Sequence, residues 1–259
     1  MKKAGRIILC LLAVALAAAV AVLVSGGASL HRHAITCNDL RIYVQEEPAF
    51  VSEQDVKDYL VKYYGPCIGE RIDSVDLSRI ERVLDSRSAI RKTEAWVTGD
   101  GILHVAVTQR EPVVRFQQGS HGYYADDRGF IFPLQKAWEA PVPVVEGNLP
   151  LVVPEGYKGE AVSDAEKEWI AGILGILDHI SRSKFWNGNF AGISVSPDGD
   201  LVILPREGRE RFIFGTSDRT PEKFDLAEDY YKYIQPSKEP GYYGIVNVKY
   251  PGQIICRIK

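Results

Sequence analysis

Histidines, cysteines and paired acids are the side chains of this 259-residue chain whose types could do chemistry, and their spacing decides whether they do. Asp126 and Asp127 have the look of a carboxylate pair, one acid to donate a proton and one base to take it. Neighbouring residues of a strand point to opposite faces, however, and Asp127, Arg128 and Gly129 read as a turn, so the spacing argues against catalysis. His31 and His33 carry ligand atoms for a metal, but they stand beside a long apolar run, where an interfacial role explains them. His104 falls on the polar face of an alternating strand, and His179 sits near a helix end, where its charge suits the dipole. No HExxH, GxSxG, Walker A loop, GxGxxG or CxxC occurs. The sequence therefore implies no catalytic residue, no metal and no cofactor.

Four cysteines are present. Cys10 lies inside the apolar run and reads as a small hydrophobe. Cys37 and Cys67 are placed to form a disulfide in an oxidising compartment, closing a loop of about 30 residues worth ~3 kcal/mol. Free thiols are the alternative. Cys256 alternates with Ile254 and Ile258 and reads as a buried strand residue.

Backbone chemistry is what remains. An edge strand offers unpaired N–H and C=O groups to an incoming strand, and the terminal segment Gln253, Ile254, Ile255, Cys256, Arg257 and Ile258 is a candidate for such pairing. A fully paired internal strand is the alternative, because sequence does not say which strand lies at the edge. Tyr242, Tyr243 and Tyr250 flank this hairpin as aromatics suited to a partner. Tyr59 and Tyr63, at helical spacing, read as core and rim.

The elements that must position these groups fall into two units. Lys plus Arg (31) nearly balance Asp plus Glu (34), without a block of one sign, which excludes a nucleic-acid footprint. Lys2, Lys3 and Arg6 precede an apolar run from Ile7 to Val24, extended without charge to Leu30. At ~1.5 Å per residue it covers roughly 27 Å, enough to span a bilayer, whereas a cleaved signal peptide has an apolar region of only ~7 to 15 residues. The basic residues place 1–6 in the cytoplasm, 7–30 as a transmembrane anchor with a short juxtamembrane run, and the rest outside the cytoplasm.

From Ala34 to Val44 the chain reads as a strand with Leu40, Ile42 and Val44 on one face. Ser52 with Asp55 makes a helix cap, with Val51 and Val56 as its hydrophobic staple. Val56, Leu60 and Tyr63 form the stripe until Gly65 and Pro66. A second helix starts at Asp76 with Leu77, Ile80 and Leu84 on one side. Thr93, Ala95 and Val97 alternate into a turn at Gly99, Asp100 and Gly101, and Leu103, Val105 and Val107 line the returning strand, 102–110. Pro112 ends this first unit, 34–112.

The second unit, 113–259, is richer in short strands, read over 113–116, 122–125, 129–132 and 142–145. A helix capped by Ser163 and Glu166 carries Trp169, Ile170, Ile173, Leu174, Leu177 and Ile180. Strands resume at 192–196, 201–204 and 211–214. A last helix is capped by Thr220, with Phe224, Ala227, Tyr231 and Ile234 inward, and stops before Pro236. Strands over 243–250 and 253–258, joined at Pro251 and Gly252, close the chain. The fold class is α+β, with a β-α-α-β-β unit followed by a mixed β domain.

Four stretches, ILHVAVTQREPVVRF, YYADDRGFIFPL, PVPVVEG and NVKYPGQIICR, resemble the FtsQ (DivIB) family of bacterial cell-division proteins. Arg110, Glu111 and Pro112 are similar to its interdomain joint, and Asp127, Gly129 and Phe130 to its hairpin. The resemblance implies a single anchor, a POTRA domain and a distal β domain in a non-enzymatic divisome scaffold of the inner membrane, at the septum. It implies that Tyr250 and the segment from Gln253 to Ile258 meet FtsB- and FtsL-like partners by strand addition. The rival expectation, a POTRA-bearing envelope adaptor for secretion or outer-membrane assembly, would normally show repeated POTRA units or a barrel, and neither pattern is present.

Overall fold

The computed structural model describes residues 35–45, 51–134, 139–239 and 241–258; the expected anchor and His31 and His33 lie outside them. The chain divides into two compact units between Gln109 and Arg110, three residues before Pro112.

In the first unit, β1 (Asp39–Gln45), α1 (Glu53–Tyr63), α2 (Leu77–Asp85), β2 (Ile90–Val97) and β3 (Ile102–Gln109) follow in order. The sheet order is β1-β3-β2, with β1 parallel and β2 antiparallel to the central strand. The Ser52 hydroxyl accepts the Asp55 N–H at 3.1 Å while the Asp55 carboxylate accepts the Ser52 N–H at 3.0 Å, so two otherwise orphaned donors are met and α1 starts where the capping box sets it. The Ser52 hydroxyl, which also donates to this carboxylate at 2.6 Å, and then the Ser52 N–H hold the Asp55 carboxyl below its ordinary pKa. Val56 and Leu60 of α1 and Ile80 and Leu84 of α2 are buried against Ile42, Leu103, Val105 and Val107 of the sheet. Tyr63 departs from the expected stripe. Its side chain is exposed and packs tilted against Tyr59 at 4.4 Å, because the helix ends with it and no further turn covers that face.

Cys37 and Cys67 share this core. Of the disulfide and the free thiols that the sequence left open, the structure has the thiols: both are free and buried, each directed at a carbonyl, Asp39 O for Cys37 and Gly65 O for Cys67. Burial pushes both thiols up, Cys67 to about 11.

The second unit runs β4 (Val114–Gln118), β5 (His121–Ala125), β6 (Ile131–Pro133), β7 (Val144–Gly147), α3 (Asp164–Arg182), α4 (Trp186–Asn189), β8 (Phe190–Val195), β9 (Leu201–Pro205), β10 (Arg211–Gly215), α5 (Thr220–Asp229), β11 (Tyr243–Asn247) and β12 (Ile255–Ile258). Nine strands form one sheet in the order β12-β11-β10-β9-β8-β7-β4-β5-β6. Pairs β4/β7, β7/β8 and β10/β11 are parallel and the others antiparallel. Such a mixed sheet needs crossover chains, and α3 and α5 with their flanking loops supply two of them.

α3 buries Ile170, Ile173, Ile176 and Ile180 in the core that lines one face of this sheet. Trp186, fully buried, meets Phe212 and Phe224 edge-on at 5.7 and 5.2 Å, the arrangement that the ring quadrupole favours. His179 does more than complement a helix end: its ring stacks on Phe224 at 4.9 Å.

α5 begins differently from the expectation. Arg219, not Thr220, is the N-cap, with φ at 49°, and the Thr220 hydroxyl instead donates to Ser217 O at 2.7 Å. Past Asp229 the helix widens into a π-helical turn, Tyr230–Ile234, before Pro236 lies in a last tight turn. Tyr230, in helical phase with the buried Lys223 and Ala227, is fully in the core, with Tyr231 beside it.

Asp126 is structural. It is buried, ion-paired with Arg110 at 2.9 Å, and accepts the N–H groups of Arg128 and Phe130, while the Arg110 guanidinium lies 3.5 Å from the Phe130 ring centre. This pairing assigns Arg110 to the second unit, although the sequence reads it as the end of β3.

Candidate partner-binding edge

A sheet of nine strands has two ends, and their chemistry differs. At one end β6 is partly closed: Ile131 and Gly159 exchange backbone hydrogen bonds at 2.8 and 3.0 Å, and Ile131 and Phe132 are buried. At the other end lies β12, paired among the described residues to β11 alone, from Tyr243 opposite Ile258 to Asn247 opposite Ile255. In an antiparallel ladder alternate residues turn their N–H and C=O groups outward, so a four-residue edge strand presents unpaired groups along its free side.

The side chains divide by face. Ile254 and Cys256 pack against the core, whereas Ile255 and Arg257 are exposed and Ile258 is 61% exposed. Tyr250, also exposed, sits in the turn and not in a strand, and its carbonyl accepts the Gln253 N–H at 3.3 Å. The strand expected over 253–258 is thus shorter, Gln253 and Ile254 belonging to the connection. Cys256, expected to be buried, is half-buried because it lies within the edge strand β12, and burial raises its thiol pKa.

What holds this edge in place lies far away in sequence. The Arg219 guanidinium donates to the Lys249 carbonyl at 2.9 Å, and the Gly252 N–H donates to Glu222 at 3.2 Å, so the start of α5 grips both sides of the connecting turn. The Lys249 ammonium reaches Asp200 at 2.7 and 3.0 Å, a pairing that raises its pKa, and its stem crosses Gly215, where a Cβ would stand 2.8 Å from Lys249 Cγ. Only glycine leaves that passage open, and φ of 75° favours it too.

Below this, Lys223 is buried and donates to Thr216 O at 2.9 Å and to Asp218 at 2.7 Å. Hydrogen bonds from Lys223, then from Thr216, hold the Asp218 carboxyl well below its ordinary range. None of Arg219, Glu222, Asp200, Lys249 or Lys223 belongs to a motif, and their roles follow from sheet order, which no local spacing encodes.

Two family models match this architecture, a POTRA-like domain over residues 35–108 and a domain described as FtsQ/DivIB, C-terminal related, over residues 111–257. The chain belongs to the FtsQ/DivIB-related family. The match covers the whole nine-stranded unit up to Arg257, including the exposed edge, and its pairing with a POTRA-like domain is that of a cell-division scaffold. No curated protein matches the chain.

Proposed function

We propose that this chain is a non-enzymatic, single-pass membrane scaffold of the bacterial divisome that recruits FtsB- and FtsL-like partners by adding a partner strand to β12. The observation that carries the reading is the position of β12 at the unclosed end of the nine-stranded sheet, with Ile255, Arg257 and Ile258 exposed along it. Backbone pairing supplies affinity there. Tyr250, Ile255 and Arg257 supply selectivity, since backbone groups alone do not distinguish partners. The apolar N-terminal run holds the scaffold in the inner membrane, N-terminus in the cytoplasm, and the POTRA-like unit follows it in the chain, ahead of the recruiting domain.

Ile255→Pro tests this. Proline removes an N–H from β12 and narrows its φ, so capture of FtsB- and FtsL-like coiled-coil proteins from solubilised membranes should fall while the first unit stays folded. Undiminished capture would move the contact elsewhere. Outer-membrane assembly factors recovered in place of the division proteins would replace the scaffold reading by the adaptor one.

A further inference from the structure

Away from the edge strand's free side, the second unit holds a cleft of about 560 Å³ between the β9–β10 connection and the end of the last helix, lined by Glu207, Arg209, Glu210, Tyr231, Gln235 and Gly241. Glu210 is 4% exposed. Its two carboxylate oxygens accept from the Tyr230 hydroxyl at 3.2 Å and the Arg209 N–H at 2.9 Å, and no cationic side chain pairs with it among the described residues. A carboxylate has about four lone-pair sites, so half of its acceptor capacity is unused.

Beside it, the Tyr231 hydroxyl is buried, with the Asn189 amide near it but no hydrogen bond in good geometry. Both groups border one spot. A Cβ on Gly208 would stand 2.3 Å from Glu210 Oε2 and 3.4 Å from the Tyr231 oxygen, so residue 208 leaves the approach clear only as glycine, which its φ of 115° also favours. Burial, then the Glu210 charge, raises the pKa of both tyrosines, so each hydroxyl keeps its proton at neutral pH.

An unpaired buried carboxylate and an unsatisfied hydroxyl are both costly, and one kind of group relieves both. It must be cationic to meet Glu210, carry several N–H donors, and tolerate an aromatic wall. A guanidinium meets all three conditions: it is planar, donates in a fork that matches a carboxylate, is weakly hydrated and stacks on tyrosine. An ammonium is compact and strongly hydrated, and fits such a slot less well.

We infer that this cleft is a binding site for an arginine side chain of a protein partner, with Glu210 as the carboxylate that receives it and Tyr231 as the hydroxyl that accepts one of its N–H groups. The site is independent of strand addition at β12 and would stand if that failed.

The test is ligand-observed saturation-transfer NMR on the intact chain in detergent, with N-acetyl-L-arginine methyl ester as the probe beside the corresponding citrulline and lysine esters. The arginine ester should give saturable binding at least about tenfold tighter than its neutral citrulline isostere, a difference of about 1.4 kcal/mol. Glu210→Gln should remove that preference, and Tyr231→Phe, which keeps the packed ring, should weaken it severalfold. Retained binding in Glu210→Gln, equal binding of the citrulline ester, tighter binding of the lysine ester, or no binding of any of them would overturn the assignment.

Discussion

Arg219 combines the two demands placed on the terminal hairpin. Among the described residues it is the one non-glycine with φ in the left-handed region, at 49°, and its guanidinium reaches the Lys249 carbonyl at 2.9 Å. The backbone conformation costs an ordinary L-residue ~1 to 2 kcal/mol. A hydrogen bond from a charged donor returns ~1.5 to 3 kcal/mol, reduced here because a third of the side chain is exposed. Contacts to Asp218 and Glu222, at 3.2 and 3.3 Å, lie at the surface and add ~0 to 1 kcal/mol each. Arg219→Ala loses these contacts and keeps the strain, for a loss of about 1 to 2 kcal/mol. Arg219→Gly loses the same contacts and is relieved of about 1 kcal/mol of strain. In thermal unfolding of the second unit the glycine variant should therefore melt roughly 2 to 4 °C above the alanine variant, the shift expected for about 1 kcal/mol in a domain of this size. Both should lose partner capture equally, since neither holds the turn at Lys249. An alanine variant as stable as the glycine one would refute the strain argument, and full capture by both would show that the grip does not position β12.

Three further outcomes follow from buried groups. Asp126→Ala should destabilise the second unit by about 3 to 5 kcal/mol in urea unfolding, because it leaves the half-buried Arg110 cation unpaired and two turn N–H groups unmet. Asp218 has its folded pKa depressed below the ordinary 3.8, so its stabilising effect is complete above that value and is lost as pH falls below about 4. Wild type should accordingly lose melting temperature more steeply below about pH 4 than Lys223→Met, in which Asp218 no longer has that partner. Trp186→Ala should cost about 3 to 5 kcal/mol by removing the ring that Phe212 and Phe224 pack against, whereas Trp186→Phe, whose lost indole N–H has no partner, should cost much less by the same chemical unfolding.

Local features were readable from sequence because their causes are local. Ser52 with Asp55 and Ser163 with Glu166 cap helices through hydrogen bonds three residues apart, and the alternation of Leu103, Val105 and Val107 records which face of β3 is buried. Tyr230 was not readable, because the residue one helical repeat before it on the buried face is Lys223, a charge that interrupts the apolar stripe. Nor was Trp186, whose four-residue helix is too short to show a period. The identity of the segment after β11 as an edge could be suspected but not assigned. Edge position depends on the order of all nine strands, and that order is fixed by crossovers of roughly 30 residues, as where β4 pairs with β7 and β10 with β11. Exposed Tyr63 shows the converse error, an apolar residue in phase with the stripe but beyond the last turn that has anything to cover it.

The central claim is that β12 accepts a strand, and amide hydrogen exchange reads it directly. The intact chain should be compared alone and with its FtsB- and FtsL-like partners bound, residue by residue over Ile255–Ile258. The account predicts that alternate amides of β12, those turned away from β11, exchange freely alone and become protected in the complex, while β6 at the far end is unchanged. A complex that forms with no added protection along β12 would contradict it.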